Sequence, residues 1–570
     1  YAAEGRPVQA LDAFRTGFSV IEQHGGGLSL DEVWPFFQTA LAESKRDPSQ
    51  RQALFAEMFR VGQTVKGSIT AETTALTAAR LAASDQNVGV LIRQLQDARR
   101  QRDDLLEMLT AAEADSNVLA PQLTALEQQW QAQGNTIAGL ERQVQAAAPR
   151  YNQLIDQPVS LDDVKSVLHP GEALVQVLVG TDHSMGFFVD ADGIEAYQIN
   201  LTEAEAKRLV AKLRAPFEAV DTLPEFPVQD AYALYQRLFE PVAKRLESAK
   251  HVITVPNGPF LSLPFGLFVV APPPRITDYD YTQVAWMASR QAITLAPSVQ
   301  SIVNLRKTVQ PSLAGQTFIG FGDFKPYGNA EALLADSGLP DSCKDDVYQI
   351  ANASSLPKTA VELRTVAASL EAPQSSLHLG DNFSEADVEE TKLSSYKVVY
   401  FATHGLLPSE LSCYAQPALL VSKSAKANKT GDGLLTASDI LGLSLDADLV
   451  VLSACNTGGP GGQTGGESLS GLARAFFYAG ARSLLVTHWE TPDEPTTVLM
   501  VDTFKRLGSG TESLAEALRE SQAELIHRYP YWSHPKAWAS FSVVGDGAQR
   551  LTPIKLTGTD STGSVSFPSR

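Results

Sequence analysis

Two residues with catalytic side chains stand at the ends of two apolar runs. "KVVYFATHG" ends in His404-Gly405, and "LVVLSACNTG" passes through Cys455 into a glycine-rich stretch with Gly458, Gly459, Gly461 and Gly462. A thiol is only a few per cent ionised at pH 7, so as a nucleophile it needs a nearby base or cation. An imidazole facing it across a crevice supplies one. The glycines allow backbone N–H groups to approach a substrate carbonyl closely, as an oxyanion hole requires. Either residue alone reads more plainly as structure: a strand-end cysteine is commonly a small buried hydrophobe, and a lone histidine a hydrogen-bonded wall residue. Their joint placement at consecutive strand ends favours thiol chemistry. His488, in "VTHWE", also ends a strand and is the rival base, but Trp489 and the lack of a following glycine mark it as wall. The other seven histidines have no comparable setting.

That pairing requires a sheet in which the two strands are neighbours. From about residue 160 the chain consists of short, β-branched, nearly continuous apolar runs: "EALVQVLVG", "HVITVPNG", "TFIGFGD", "KVVYFATHG", "LVVLSACNTG" and "SLLVTHW". Strands buried on both faces have this composition, as in parallel sheets. "GFFVDADGIEAYQI" predicts a hairpin around residues 190–193. Helical patterns lie between the strands, at 359–371, 384–393 (with Ser384 and Asp387 at capping-box spacing), 466–480 and 511–528. The alternation predicts a doubly wound α/β fold, in which ligands sit beyond the carboxyl ends of the strands. Residues 1–155 read as all-helical. Leu91, Leu95, Ala98, Leu105 and Leu109, and then Leu119, Leu123, Leu126, Trp130, Ile137, Leu140 and Val144, follow heptad steps, interrupted at Arg102 and Gln133. They predict an antiparallel coiled-coil hairpin, either packed on its neighbour or docking a partner. No 34-residue period recurs.

The bulk numbers narrow the classes. A length of 570 residues predicts two or three domains, and a formal charge of −19 argues against a general nucleic-acid binder. Cys343, Cys413 and Cys455 form an odd, sparse set, which reads as no disulfide framework and favours a reducing compartment. No CxxC or HExxH occurs, so no metal site is expected, and no other cofactor. No apolar run is long enough for a membrane span. The chain starts at Tyr1, without Met, so a removed signal or a missing upstream domain stays open.

The sequence resembles the CHAT domain family, caspase-like cysteine peptidases of the separase and caspase clan, often fused to tetratricopeptide repeats. The resemblance rests on "LHPGEALVQVLV" (168–179), "VPNGPFLSLPFGLF" (255–268), "LPKTAVELRTVA" (356–367), "VVYFATHG" (398–405), "GLLTASDILGLSLDADLVVLSACNTG" (433–458), "GGESLSGLARAFFYAGARSLLVTHWETPDE" (465–494) and "WASFSVVG" (538–545). It implies a caspase-like α/β/α sandwich with a mostly parallel sheet, preceded by an all-α, partly coiled-coil region. The implied division is 1–155 helical (a degenerate tetratricopeptide repeat is one reading), 156–305 the pseudo-active first half, 306–546 the catalytic half and 547–570 a loose tail. Cys455 would be the nucleophile, His404 the partner that protonates the leaving amine, and the backbone N–H groups of Gly405 and Cys455 the oxyanion hole. By likeness to separases, Asp493, with Glu490, would line a pocket for a basic side chain; acids opening a helix are the plainer reading. The implied function is endopeptidase cleavage of a protein partner, docked by the helical region, in bacterial defence or cell death, with the bacterial cytoplasm as compartment. A catalytically silent scaffold is the alternative.

Overall fold

The computed structural model describes residues 6–24, 28–65, part of 90–109, 120–147, 158–219, 222–307, 309–337, 343–406, 413, 416–423, 433–454 and 471–551. The apolar runs form strands β1 (Glu172–Val179), β2 (Ser184–Asp190), β3 (Gly193–Ile199), β4 (His251–Pro256), β5 (Ala292–Leu295), β6 (Gln316–Gly322), β7 (Leu377–Leu379), β8 (Tyr396–Ala402), β12 (Ala447–Ser453), β13 (Ala481–Thr487) and β14 (Phe541–Gly545). Among the described residues they build one eleven-stranded sheet in the order β3-β2-β1-β4-β5-β14-β13-β12-β8-β6-β7. The pairings are parallel except at β2–β3, β1–β2 and β13–β14. The fold is mixed α/β, with a large, mostly parallel sheet and a helical N-terminal region. The expected hairpin is β2–β3, with Asp190 opposite Gly193 across a two-residue turn.

Period-2 alternation sends successive side chains of the central strands to opposite layers. Val399, Phe401, Val450 and Leu452 pack with Ile440, Leu472 and Phe476 on one face. Val398, Tyr400, Leu449 and Val451 pack with Leu363, Val366, Leu499 and Phe504 on the other. Helix Pro357–Ser369 lies very close to the sheet because β6 carries glycine where it crosses. A Cβ at Gly322 would stand 2.6 Å from Leu363 Cδ1, and one at Gly320 2.9 Å from Leu363 Cδ2.

Helices Leu30–Arg46 and Arg51–Gly62 share a core with the sheet: Trp34, Phe37 and Phe59 pack with Leu178, Phe187 and Met185. Gln52 binds the open edge of β3 as a strand would, with its Nε2 donating to Ile194 O at 3.0 Å and its Oε1 accepting from Ile194 N at 3.2 Å. Helix Ala120–Ala147 and the helical residues of 90–109 touch through Gln133, the residue that interrupts the heptad seam. Its Nε2 donates to Ala98 O at 3.2 Å and to Gln101 Oε1 at 2.9 Å. This arm rests on the second half of the sheet domain. Arg93 Nη2 donates to Leu441 O (2.9 Å) and Leu443 O (2.7 Å), and Tyr478 Oη to Asp97 Oδ1 (2.7 Å). Among the described residues no helix is long and apolar enough to cross a membrane.

One reading from the sequence is overturned. Cys343 and Cys413, 70 residues apart, form a disulfide with a Cα separation of 5.7 Å. A sparse, odd cysteine count conceals such a pair because spacing along the chain carries no information about contacts this distant.

The two halves of the sheet are joined by a buried ionic cluster at the amino ends of β1 and β4. Glu172 accepts from His251 Nδ1 and from Arg306 Nη2, both at 2.9 Å, and Arg306 Nε reaches Asp546 Oδ1 at 3.0 Å. Burial alone would raise the Glu172 carboxyl, but the hydrogen bonds from His251 and Arg306 override it and hold the group well below its usual range. A depressed carboxyl stabilises the fold above its unfolded pKa, near 4.5, and loses that contribution as the pH falls. Arg306→Leu is therefore expected to cost about 3–5 kcal/mol at pH 7 in urea unfolding. The loss of stability of the wild type between pH 5 and pH 3 should shrink in the variant.

Candidate active site

The parallel pairing of β8 with β12 defines the site. Its register sets Ala402 opposite Ser453. His404 leaves the carboxyl edge of the sheet two residues beyond Ala402, and in the sequence Cys455 comes two residues after Ser453. Cys455 and the glycine-rich stretch after it lie outside the described residues. The backbone leading to them is held from both sides. Thr403 N donates to Ser453 O at 3.2 Å, and Thr487 Oγ1, at the end of β13, donates to Ala454 O.

His404 is half-buried. Its Nε2 lies 2.7 Å from the carbonyl oxygen of Ser354. A carbonyl only accepts, so Nε2 carries the proton and the neutral ring keeps Nδ1 as its basic nitrogen. Phe324 meets the ring edge-on, with centroids 5.8 Å apart. After His404 the chain enters β9 (Gly405–Leu406), which pairs with β10 (Ala418–Leu420), itself paired with β11 (Leu434–Thr436). Thr436 then caps helix Ala437–Gly442 in a capping box with Asp439. "GLLTASDI" thus braces the segment that carries Gly405. On the other side, helix Lys344–Ala351 leads to Ser354, and the Cys343–Cys413 disulfide ties the start of that helix to the chain beyond β9.

The rival base is excluded by its surroundings. His488 is 1% exposed, with Nε2 3.0 Å from Ser542 Oγ. Burial, and then the positive charge of Arg214, lowers its pKa to about 3, so it stays neutral inside the wall. A second acid–imidazole–hydroxyl chain exists at Glu172, His251 and Thr294, with His251 Nε2 2.7 Å from Thr294 Oγ1. It has no room for a substrate. Thr294 is fully buried, and a Cβ on Gly547 would stand 2.0 Å from its hydroxyl oxygen. The geometry of a triad there serves the ionic cluster.

Glu490 and Asp493 are both exposed. Asp493 is the first residue of helix Asp493–Gly508, where an acid favours the helix dipole. Glu385, Glu389 and Asp439 also gather at the surface, their ligand atoms within 4.8 Å of one another, but Asp439 is engaged by Thr436.

Residue types at strand ends do not reveal Glu362. It sits 2% exposed on the inner face of helix Pro357–Ser369, and Tyr400 Oη donates to its Oε1. Burial raises its pKa to about 7; the hydrogen bonds from Tyr400 and Ser453 lower it and the nearby Asp493 charge adds to the rise. The available signal was a charged residue inside the buried stripe of Ala360, Leu363, Val366 and Ala367.

A sequence model of the CHAT domain matches residues 228–546. The mostly parallel α/β sheet is thus that of a CHAT domain. The chain belongs to the CHAT family. It is 33% identical over 140 residues to tetratricopeptide repeat protein 28 of Mus musculus and 31% identical over 137 residues to that of Homo sapiens. Each alignment covers 24% of this chain, and the chain spans only 5% of the length of either relative. Among solved structures, the Arg specific cysteine proteinase gingipain R aligns with 62% of this chain and 76% of its own, at 8% identity and a TM-score of 0.32. The Saccharomyces cerevisiae separase-securin complex aligns with 92% of this chain and 42% of its own, at 9% identity and a TM-score of 0.38. Likeness this remote transfers no residue roles.

Glu362 also makes a stability prediction. A carboxyl raised in the folded state contributes stability below its unfolded pKa, near 4.5, and loses it as the pH rises through about 7. Glu362→Gln should therefore gain on the wild type between pH 5 and pH 8, by up to about 3 kcal/mol. Chemical denaturation at the two pH values measures it; an unchanged difference would mean that the carboxyl does not titrate there.

Proposed function

We propose that the protein is a cysteine endopeptidase that cleaves a protein partner, with Cys455 as nucleophile and His404 as its acid–base partner. The observation that carries this reading is the β8–β12 register, with both residues two positions beyond the paired Ala402 and Ser453. The thiolate attacks the scissile carbonyl carbon, and the developing oxyanion takes hydrogen bonds from the N–H groups of Gly405 and Cys455. Protonated Nδ1 of His404 gives its proton to the leaving amine, while the Ser354 carbonyl holds the other ring nitrogen. Water then attacks the thioester, returning the thiol and releasing the acid.

The helical arm is the docking surface in this reading. The contacts of Arg93 with Leu441 and of Asp97 with Tyr478, on either side of β12 in the sequence, support this reading. A role as effector in bacterial defence or cell death, in the cytoplasm, belongs to the same proposal; the disulfide is the feature that weighs against a reducing compartment. The second reading is a silent scaffold, favoured by relatives named for tetratricopeptide repeats.

Cleavage of partner proteins, found by comparing the proteomes of cells with wild type and Cys455→Ala, separates the two. Cys455→Ala and His404→Ala should each lose at least about a thousandfold in rate, with the double variant little worse than either. His488→Ala should keep the thiol labelling by a peptidyl inhibitor that His404→Ala loses. Undiminished cutting by Cys455→Ala would leave the scaffold reading.

Peptide-library profiling tests the first pocket. A preference for Arg or Lys before the cut, falling roughly tenfold or more in Asp493→Ala, is the expectation, since a charge-assisted hydrogen bond contributes about 1.5–3 kcal/mol. A basic preference untouched by that substitution would return Asp493 to its helix-capping role.

A further inference from the structure

The chain between β6 and helix Pro357–Ser369 forms a flap beside His404. Its base is closed, because Asp323, just past β6, donates its N–H to Thr359 Oγ1 at 2.8 Å. Its body packs on the small β9–β11 sheet, with Phe324, Val347 and Ile350 against Ala418, Leu420 and Leu434. Its far side is fastened by the disulfide. Cys343, at the start of helix Lys344–Ala351, is bonded to Cys413, whose N–H donates to Asp346 Oδ2 of the same helix at 2.6 Å. His404 is held in two separate ways. Its backbone belongs to the small sheet: its carbonyl accepts from Leu420 N at 2.9 Å, and Thr403 Oγ1 donates to Leu420 O at 2.7 Å. Its ring belongs to the flap, through Ser354 O and Phe324. The Phe324 side of the flap is tied to the chain after β10 by the Lys325 N–H, which donates to Ser422 Oγ at 3.0 Å. Ser354 is exposed, in the short connection after helix Lys344–Ala351, so its carbonyl stands where that helix puts it. The carbonyl that holds Nε2 is thus on the part of the flap that the bridge secures.

We propose that the Cys343–Cys413 disulfide is a redox clip for the His404 ring: closed, it holds the helix that presents the Ser354 carbonyl, and opened by a thiol reductant, it frees the ring to turn. Helix Lys344–Ala351 has eight residues, too few to persist in water without docking. Its apolar contacts lie in a small cluster apart from the main cores, the kind of element that opens locally at little cost once a covalent tie is lost. The bridge is open to exchange from one side. Cys343 is 3% exposed, whereas Cys413 is half-buried. An external thiolate attacks Cys413 Sγ, forming a mixed disulfide and releasing the Cys343 thiolate, which takes up a proton. A second thiol then displaces the Cys413 sulfur, which is protonated in turn. The bridge gains two electrons and two protons, and the two external thiols leave as their own disulfide. The backbone of His404 stays on β10 throughout, so only the ring is released. The consequence for proton transfer rests on the peptidase reading, in which the bridged form is the competent one and reduction slows cleavage. The hold on the ring does not rest on it.

The test is the rate at which diethyl pyrocarbonate carbethoxylates His404 at neutral pH, read by mass spectrometry of the peptide that contains it. His378 is the internal control. It is half-buried too and lies within the same covalent loop, but its ring packs on Phe321 of the large sheet. Reduction of the wild type with dithiothreitol, removed before labelling, should raise the His404 rate about fivefold, the equilibrium factor of one net hydrogen bond. His378 should not change, and reoxidation should restore the first rate. The double variant Cys343→Ala with Cys413→Ala should label at the raised rate with or without reductant. Amide exchange should quicken over 344–354 on reduction and stay unchanged over 396–402. A His404 rate indifferent to reduction overturns the proposal, as does a double variant that labels like the oxidised wild type. So does a rise of His404 and His378 by the same factor, the mark of a merely structural role. Should the double variant fail to fold, reduction and reoxidation of the wild type decide alone by the same criteria. Labelling needs no substrate, so absence of cleavage would refute the peptidase reading and leave this measurement intact.

Discussion

A parallel strand pair fixes more than neighbourhood. Its ladder sets which residues leave the sheet together at the carboxyl edge, and here the Ala402–Ser453 register sets His404 and the chain into Cys455 level with each other. Every other feature of the site serves that edge. Thr403 and Thr487 tie the β12 exit to β8 and β13, Ser354 fixes the protonated nitrogen of His404, and the β9–β11 sheet braces the chain on the far side of the imidazole. A slip of one residue in that register would turn the buried set of side chains to the opposite face. Burial of Val398 to Ala402 and of Leu449 to Leu452 makes such a slip costly.

Much of this was legible in the sequence because it is local. The unbroken β-branched runs marked strands covered on both faces, Asp190 to Gly193 marked a tight hairpin, and Ser384 with Asp387 marked a capped helix start; all three form as expected. The adjacency of β8 and β12 was a condition of pairing His404 with Cys455, not anything measurable along the chain. What escaped was long-range. Cys343 and Cys413 meet across 70 residues. The early helices were legible as helices, but not the core that they share with Phe187 and Leu178. Glu362 was hidden inside a segment whose pattern announced only a helix, since periodicity shows which face is buried and not which polar groups await it there.

A chain of acid, imidazole and hydroxyl does not by itself make a reactive site. Glu172, His251 and Thr294 have the order of partners that activates a hydroxyl, but Arg306 pairs with the acid as well as with Asp546, and the Gly547 backbone closes over the buried oxygen. His404 has no carboxylate partner among its described hydrogen bonds; a backbone carbonyl orients it instead. Burial also separates the two histidines: His251 is buried and His404 half-buried.

The Cys343–Cys413 bridge has a consequence for how the protein would be seen at the bench. It encloses the helix that leads to Ser354, the helix that carries Glu362, β8 and His404 within one covalent loop. A nick anywhere inside that loop leaves both products joined. Processed and intact chains would then run together on a non-reducing gel and separate only after thiol treatment.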